Sequence, residues 1–303
     1  MAIQKISPVI MLPNDNPKEL DYSEVHKKAT IDLNIKPPRP PIAISIGVDD
    51  IAYNGTHYPL RFGTFGNISM LKGEEKSRKT WAKSLIIACA IGGMANNLCS
   101  DIVGYDLKGK YIIDIDTEQD SFDSWNTADR IKRAVGGIHE YYIPIKLREY
   151  STFERLAYLD WLFTKSPYKD KLGIVSLDGY VDFIADFNSL TECVEFTQKL
   201  MKYSTLANCH ITGVLHLNPG TEKARGHLGT ILQQKCETVV IVKDMGDYSE
   251  LICQRARGKK FPTLGISVNN DRLPFSIPNY EPVLENMLTK RKVTTLDEFT
   301  KHK

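Results

Sequence analysis

The stretch from Gly73 to Thr80 combines a glycine, charged residues and hydroxyl side chains, as a phosphate-binding loop does. It follows the apolar run 68–71 and precedes an Ala-, Leu- and Ile-rich segment, 81–91, with the composition of a helix. The backbone N–H groups of such a loop and the N-terminus of the next helix attract polyphosphate. In the pattern G-x-x-x-x-G-K-[ST], the lysine reaches the outer phosphates and the hydroxyl binds Mg²⁺. Here those two residues are Lys79 and Thr80.

Arg78 stands where this pattern has its second glycine. A glycine there lets the backbone approach phosphate without an intervening Cβ, so the match is incomplete. An ordinary surface loop rich in lysine and arginine is the alternative interpretation. If the loop binds a nucleotide, the predicted binding residues are Gly73, Glu74, Glu75, Lys76, Ser77, Arg78, Lys79, Thr80 and Trp81.

Carboxylates follow two apolar runs that are predicted to be strands. Glu118 comes just after the run 110–115, and Asp178 closes the run 172–177. Ligand-binding groups gather at the carboxyl ends of parallel strands. Glu118 is therefore predicted to activate a water for attack on a γ-phosphate, and Asp178 to hold Mg²⁺ through its water shell. The alternative for Asp178 is that it only opens the Asp-Gly turn that follows.

A further apolar run, 210–216, ends in His216, whose ring is a candidate sensor of the γ-phosphate. A histidine with a purely structural hydrogen bond is the alternative. The Gly-rich stretch 219–229 follows and carries Lys223, Arg225 and His227. Cations on a flexible backbone suit contact with nucleic-acid phosphates, although an ordinary solvated loop would have the same composition.

Arg255 and Arg257 alternate at the end of the predicted strand 250–255. A guanidinium delivered from a neighbouring subunit would stabilise the charge of a phosphoryl-transfer transition state. Two alternatives remain open for this pair of arginines. They are a basic strand end that faces solvent, or a contact with DNA.

From residue 62 onward apolar runs alternate with helical patterns, which predicts an α/β fold with a mostly parallel sheet flanked by helices. The predicted strands are 67–71, 110–115, 141–145, 172–177, 210–216, 237–242 and 250–255. The predicted helices are 79–92, 121–134, 152–164 and 190–207. Residues 61–272 form the predicted core, and 273–303 a solvated C-terminal tail.

Residues 1–60 are predicted to be an extended N-terminal arm or linker. It contains one short helix at 22–30, a proline-rich extended segment at 36–41 and a strand at 42–46. The arm is expected to pack on its own core or on a neighbouring subunit. A flexible tail as far as residue 36 is the alternative.

Composition limits the classes of protein that are possible. Of the 303 residues 42% are hydrophobic and 25% charged, as in ordinary globular proteins. The net charge of +2 is small, so any DNA-binding face must be local. The six cysteines show no C-x-x-C spacing, which predicts reduced, partly buried thiols in a reducing compartment. With no signal peptide and no long apolar stretch, we expect a cytoplasmic protein without a membrane partner.

Taken in order, these segments resemble the RecA superfamily of P-loop ATPases, above all its RepA/DnaB-like hexameric helicase branch. Related members are RecA-like AAA ATPases of plasmids, phages and mobile elements. The resemblance covers about residues 42 to 270. It is most distinctive at 181–188, after Asp178, at 214–218, and at 225–229.

The resemblance implies a RecA-like P-loop NTPase core that uses ATP and Mg²⁺. Glu118 takes the position of the catalytic base, and His216 stands where the family commonly has a glutamine switch. Arg255 and Arg257 match a Lys-x-Arg pair that reaches the nucleotide of the adjacent subunit, and Lys79 completes the implied catalytic set. Stretch 219–229 corresponds to a DNA-contacting or switch region. A homo-oligomeric ring, commonly a hexamer, with single-stranded DNA along its inner face would follow.

Three hypotheses result. The first is an Mg²⁺-dependent ATPase that acts on DNA as a ring-forming replicative helicase or single-stranded DNA translocase. In the second, the altered loop binds nucleotide without useful hydrolysis, and the protein serves as a nucleotide-switched DNA-binding or loader subunit. The third is a recombination or repair factor that remodels DNA without unwinding it.

Overall fold

A computed structural model describes residues 21–52, 54–217 and 226–282, and the chain divides into two compact units between Arg39 and Pro40. In the first unit, α1 (Tyr22–Ala29) begins at Asp21. The Asp21 carboxylate accepts hydrogen bonds from the backbone N–H groups of Ser23 and Glu24, which satisfies two donors that a helix leaves free. The short helix predicted at 22–30 is therefore confirmed to within one residue.

The second unit alternates strands with helices. Its strands are β1 (Ile42–Val48), β2 (Pro59–Thr64), β3 (Ile68–Gly73), β4 (Ile102–Gly104), β5 (Tyr111–Asp116), β6 (Tyr142–Lys146), β7 (Leu172–Asp178), β8 (His210–His216), β9 (Thr238–Asp244), β10 (Ser249–Ala256), β11 (Leu264–Val268) and β12 (Pro274–Ser276). Its helices are α2 (Lys79–Ile91), α3 (Ser121–Val135), α4 (Thr152–Thr164), α5 (Leu190–Leu206) and α6 (Gly226–Lys235).

Most of these strands join one nine-stranded sheet in the order β12-β11-β10-β9-β3-β8-β7-β5-β6. The neighbours from β9 to β6 pair in parallel, whereas β10, β11 and β12 are antiparallel to theirs. A separate three-stranded antiparallel sheet has the order β2-β1-β4. The predicted α/β class with a mostly parallel sheet is confirmed.

Apolar side chains cover both faces of the large sheet, because successive residues of a strand point to opposite sides. One core cluster contains Leu71, Ile112 and Ile174 with residues of α2 and the small sheet. The next residue of two of these strands, Ile113 and Val175, lies in the other cluster, with residues of α4, α5 and α6. The layers therefore are helices and the small sheet on one face, and helices on the other.

Helix α2 is apolar around nearly its whole circumference, with buried alanine, leucine and isoleucine side chains from Ala82 to Ala90. A helix with this composition is expected to be buried on all sides. It packs against α3, β3 and the small sheet. Because α2 follows directly on residues 73–78, its burial fixes one end of that loop and β3 fixes the other.

The seven predicted strands of the core and its four predicted helices are all present, each to within two residues at either end. The strand predicted at 42–46 corresponds to β1. The prediction did not include β2, β4, β11, β12 or α6. These are short elements, or elements buried by contacts with distant parts of the chain.

The predicted boundaries at residues 60 and 272 differ from those of the structure. Residues 40–60 were assigned to the arm but lie in the second unit, because β1 buries Ala43, Ile44 and Ile46 in the core. Beyond residue 272, β12 pairs with β11 and extends the large sheet.

The prediction that the Gly-rich stretch 219–229 is a loop is wrong at its end, because residues 226–229 form the first turn of α6. Leu228 and Leu232, four residues apart, bury one side of this turn, and the Leu228 N–H donates to the Phe187 carbonyl oxygen. His227 lies in this turn. Lys223 and Arg225 lie outside the described residues.

All six cysteines are buried, as expected for Cys89 and Cys209 from their apolar surroundings. In residues 21–52, 54–217 and 226–282, no helix is long and apolar enough to cross a membrane.

Candidate functional site

The carboxyl ends of four parallel strands, β3, β5, β7 and β8, bring the predicted nucleotide- and Mg²⁺-binding residues to one edge of the large sheet. In the strand register Gly73 lies beside His216, and Asp116 beside Asp178. After β3 the chain runs to β5 and then β6, returns through β7 and β8, and crosses to β9 on the other side of β3. Such a switch in strand order opens a crevice at the carboxyl edge, where α/β proteins bind ligands.

The loop that leaves β3 is shaped by backbone conformation. A Cβ on Gly73 would collide with the Ser77 hydroxyl and the Val242 carbonyl oxygen, so only glycine fits there. Lys76 and Arg78 adopt positive φ angles of 62° and 65°. Few residues other than glycine do so. The loop therefore turns sharply twice before α2 begins at Lys79.

The Lys79 ammonium lies inside this loop, where Nζ donates to the Glu74 carbonyl oxygen at 2.5 Å. Burial lowers the pKa of Lys79, and the carboxylates of Glu118 and Asp178 oppose that shift. A backbone carbonyl is a partner that an incoming phosphate oxygen can replace. The lysine is thus buried, cationic and held at the loop by one exchangeable contact.

Thr80 and Asp178 meet, with the Thr80 hydroxyl 3.4 Å from Asp178 Oδ2. A hydroxyl and a carboxylate are oxygen ligands of the type that Mg²⁺ prefers. Among the described residues, no group of three or more His, Cys, Asp or Glu side chains could hold a metal ion. Mg²⁺ bound here would take its other ligands from water and substrate phosphates, which is its usual mode in nucleotide sites.

Lys83 was not singled out from the sequence, yet it is the most buried cation of the site. Its Nζ lies 3.0 Å from Asp114 Oδ1 and 3.2 Å from Asp178 Oδ2. Burial alone would lower the pKa of Lys83, but the two carboxylates outweigh it and raise the pKa. Tyr142 Oη donates to Asp114 Oδ2 at 3.2 Å. The side chains of Asp114, Lys83 and Asp178 form a buried row of alternating charge, and we call them the buried triad.

Two signals for Lys83 were present in the sequence. It is a charged residue within an otherwise apolar helix, and it comes three residues after Thr80, on the same helix face. Its partners were not readable, because Asp114 and Asp178 belong to different strands.

Glu118 and His216 face each other beside the loop, with Glu118 Oε1 3.7 Å from His216 Nε2. The interaction with the His216 imidazole lowers the pKa of Glu118; burial opposes this, and the Lys79 charge adds to it. Glu118 is therefore an ionised carboxylate at neutral pH. An ionised carboxylate at this edge is able to accept a proton from water.

The turn that carries Glu118 is fixed by the preceding strand. The Asp116 carboxylate accepts hydrogen bonds from the Glu118 N–H at 2.9 Å, the Gln119 N–H at 3.0 Å and the Ser124 hydroxyl at 2.7 Å. Asp116 thus has a structural role here, since its oxygens are occupied by the turn.

Two buried polar atoms at this edge have no hydrogen-bond partner among the described residues. They are the Ser77 hydroxyl oxygen and His216 Nδ1. A buried polar atom without a partner is costly, and most such atoms are satisfied by water or a ligand. The loop and the end of β8 therefore retain hydrogen-bonding capacity for a polar ligand such as a phosphate.

The side chains of Arg78 and Trp81 point to other parts of the protein. The Arg78 guanidinium binds the turn between β9 and β10, with Asp244 Oδ1 2.8 Å from Nη1. The Trp81 ring lies 3.6 Å from the Arg130 guanidinium, in a stacked contact with α3. Both residues border the loop, but neither side chain is directed at its interior.

Arg255 and Arg257 are not brought together with Lys79. Strand β10 runs antiparallel to β9, so its end lies at the amino edge of the sheet. There Arg257 Nη1 donates to Asn67 Oδ1 at 3.1 Å, and Arg255 Nη1 to the Gln233 carbonyl oxygen at 2.9 Å. At about 3.3 Å per residue, the length of β3 separates this edge from the loop.

Comparison with known proteins adds nothing to these observations. A scan against models of protein families finds no match, and a search of curated proteins finds no significant match.

Proposed function

We propose that the chain is an Mg²⁺-dependent ATPase with a RecA-like core that acts on single-stranded DNA. In this proposal it is a ring-forming helicase or translocase. The observation that carries the ATPase activity is the convergence of Lys79, Thr80, Asp178 and Glu118 at one sheet edge. The DNA and the ring rest on the resemblance of the sequence to RepA/DnaB-like ATPases.

The triphosphate would be bound by the loop and the start of α2. The first N–H groups of a helix have no partner inside it, so they offer hydrogen bonds and partial positive charge to phosphate oxygens. On binding, Lys79 Nζ would leave the Glu74 carbonyl oxygen and contact the outer phosphates. The Ser77 hydroxyl and His216 Nδ1, which are buried without a partner among the described residues, would form hydrogen bonds with the ligand.

Thr80 and Asp178 would hold Mg²⁺, whose charge neutralises the phosphates when it is bound. Lys83 contacts the same Asp178 oxygen as Thr80, Oδ2, and compensates part of the negative charge that Asp114 and Asp178 bring. The chain therefore presents a fixed carboxylate and a hydroxyl.

Hydrolysis proceeds by in-line attack of water on the γ-phosphorus. Glu118 orients this water and accepts its proton, while the water oxygen forms a bond to phosphorus and the bridging P–O bond to ADP breaks. Lys79 stabilises the charge that develops on the phosphoryl oxygens. The lowered pKa of Glu118 keeps its carboxylate ionised at neutral pH, so it can accept the hydrogen bond that orients the water.

Arg255 and Arg257 serve an adjacent subunit in this proposal. They lie at the edge opposite to the chain's own loop, so a guanidinium from there can reach a nucleotide only on another copy. Such a contact makes the active site shared between neighbours. It requires a homo-oligomer, and a head-to-tail arrangement forms a ring when the rotation between neighbouring copies closes.

The test is ATP hydrolysis with and without single-stranded DNA, for the wild type beside Lys79→Ala and Lys169→Ala. We expect Lys79→Ala to lose at least about a hundredfold in turnover, because the phosphates lose their cation. Lys169 is a partly exposed lysine in the turn before β7, at the other sheet edge, and its variant should keep wild-type turnover. Turnover that survives in Lys79→Ala would contradict the site. If turnover is lost in Lys79→Ala and kept in Lys169→Ala, a forked-duplex unwinding assay separates a helicase from a remodelling factor.

The residue at position 78 favours a second candidate, a nucleotide-switched DNA-binding or loader subunit. Arg78 replaces the glycine that usually lets backbone approach phosphate. In that case the wild type would bind ATP, fail to hydrolyse it, and bind DNA differently with and without it. Steady turnover stimulated by single-stranded DNA would exclude this candidate.

A further inference from the structure

Arg78 occupies a backbone conformation that disfavours it. Its φ of 65° and ψ of 30° are left-handed, which carries a steric cost for a residue with a Cβ. A glycine would adopt this conformation without that cost. Some compensating interaction must therefore hold the arginine there, and its side chain shows which one.

The Arg78 guanidinium is bound entirely to the turn that joins β9 to β10. Its Nη1 lies 2.8 Å from Asp244 Oδ1, 3.1 Å from the Tyr248 carbonyl oxygen and 3.2 Å from the Ser249 hydroxyl oxygen. Its Nη2 donates to the Gly246 carbonyl oxygen at 2.5 Å. A fixed, planar group with several donors suits such a set of acceptors.

The turn is itself ordered by the same carboxylate. Asp244 Oδ1 accepts a hydrogen bond from the Gly246 N–H at 3.1 Å. The adjacent loop residue is tied down as well, since the Ser249 hydroxyl donates to the Ser77 carbonyl oxygen at 3.2 Å. Two consecutive residues of the loop are thus fastened to the β9–β10 turn.

We infer that Arg78 is a positioning residue, which holds residues 73–80 in their phosphate-binding shape through the β9–β10 turn and does not bind phosphate itself. The inference rests on the proposed function only in that the bound group is a triphosphate. To touch phosphate, the guanidinium would have to give up Asp244 and its neighbours on the turn. The turn, more than 160 residues away along the chain, thereby becomes part of the nucleotide site.

The experiment compares Arg78→Ala, Asp244→Ala, the double variant and Arg78→Lys with the wild type. Lys243→Ala is the matched control, because Lys243 is an exposed neighbour of Asp244 whose side chain points to the other face of the strand. Amide hydrogen exchange of residues 73–80 is measured first, on the full chain without ligand. The dissociation constant of a fluorescent ATP analogue with Mg²⁺, and the KM and kcat for ATP, are measured next.

We expect faster exchange of the loop in Arg78→Ala and Asp244→Ala, with no further increase in the double variant. Each single variant should weaken binding of the ATP analogue by about tenfold, and the double variant by no more than the larger single effect, as coupled neighbours do. KM should rise while kcat changes little, and Arg78→Lys should recover part of the affinity. Lys243→Ala should resemble the wild type.

If Asp244→Ala leaves exchange and affinity unchanged while Arg78→Ala weakens binding, Arg78 contacts phosphate directly and the inference is wrong. If the wild type binds no ATP analogue at all, the proposed function fails. The exchange data would still decide whether Arg78 and Asp244 shape the loop together.

Discussion

Lys83 shows how a buried charge is tolerated when its partners are arranged around it. Its side chain is 2% exposed, and so is that of Asp178. Two carboxylates and one ammonium meet in the buried triad, next to the Thr80 hydroxyl. Burial raises the pKa of Asp178 and the Lys83 charge opposes that shift, so a divalent cation bound by Thr80 and Asp178 would further favour the ionised carboxylate.

The buried triad gives a prediction for stability. Lys83→Met removes the cation and leaves the buried carboxylates of Asp114 and Asp178 without an opposite charge, so the free energy of unfolding should fall by about 3–5 kcal/mol. Urea denaturation measures this loss. Lys132→Met is the control, because the exposed Lys132–Asp129 pair should contribute less than about 1 kcal/mol. Equal losses in the two variants would mean that the triad does not act as a buried charge network.

Position 78 shows which residues of the site a sequence motif can locate and which it cannot. The sequence located Lys79 and Thr80 because their spacing from Gly73 is fixed by the geometry of one short loop. The partner of Arg78 could not be read, since Asp244 follows 166 residues later on a strand whose neighbours were unknown. The spacing of residues in a motif predicts contacts within one short segment. A contact between distant segments can be predicted only when the fold is known.

At the scale of elements, the direction of β10 decides what its arginines can reach. One end of β10 lies beside the loop through Ser249, and the other carries Arg255 to the opposite edge of the sheet. Had β10 been parallel to β9, the arginines would lie beside their own loop. The antiparallel direction supports a role between subunits.

Arg257→Ala should therefore keep nucleotide affinity and lose turnover by about a thousandfold, as expected for an arginine that acts on the transition state. Mixing it with Lys79→Ala should restore activity, because about one head-to-tail interface in four then pairs an intact loop with an intact arginine. ATP turnover of the mixture measures this. A mixture as inactive as its components would rule out action between subunits, and wild-type turnover in Arg257→Ala would remove the role altogether.

Helix α6 shows why some elements escape sequence reading. The predicted helices have long apolar patterns of their own, and each appears within one residue of its predicted ends. The segment 226–235 follows a Gly-rich stretch and begins with glycine, so its local signal favours a loop. Contact with α5 and the core decides otherwise by burying Leu228 and Leu232.

At the scale of the whole molecule, His210 couples stability to pH. The side chain is fully buried, with Nε2 2.8 Å from the Ser69 hydroxyl oxygen, and burial lowers its pKa to about 4. Below its ordinary pKa of about 6.5 the unfolded chain binds a proton that the folded chain does not. The contribution of His210 to the free energy of unfolding is therefore fully present above about pH 6.5, and it is lost progressively as the pH falls toward about 4.

Between about pH 7 and about pH 5, the wild type should lose about 2 kcal/mol more than His210→Gln. Urea denaturation at both pH values measures the difference. Comparison of variants is needed because Glu237, whose carboxylate lies 3.8 Å from His210, has its pKa raised by burial and acts in the opposite direction. The exposed His57 supplies a control, and His57→Gln should follow the wild type. Identical pH dependence in His210→Gln would show that the buried histidine does not control acid stability.

The left-handed turn at residue 78 has a consequence for how such loops change over evolution. The geometric requirement is a positive φ angle, and glycine is only the simplest residue that meets it. An arginine can adopt this angle when an acidic residue on the neighbouring hairpin binds its guanidinium. Positions 78 and 244 are therefore expected to be substituted as a pair. A sequence search that requires glycine at position 78 will miss such chains, whereas a search that pairs a basic residue there with an aspartate at the end of β9 will find them.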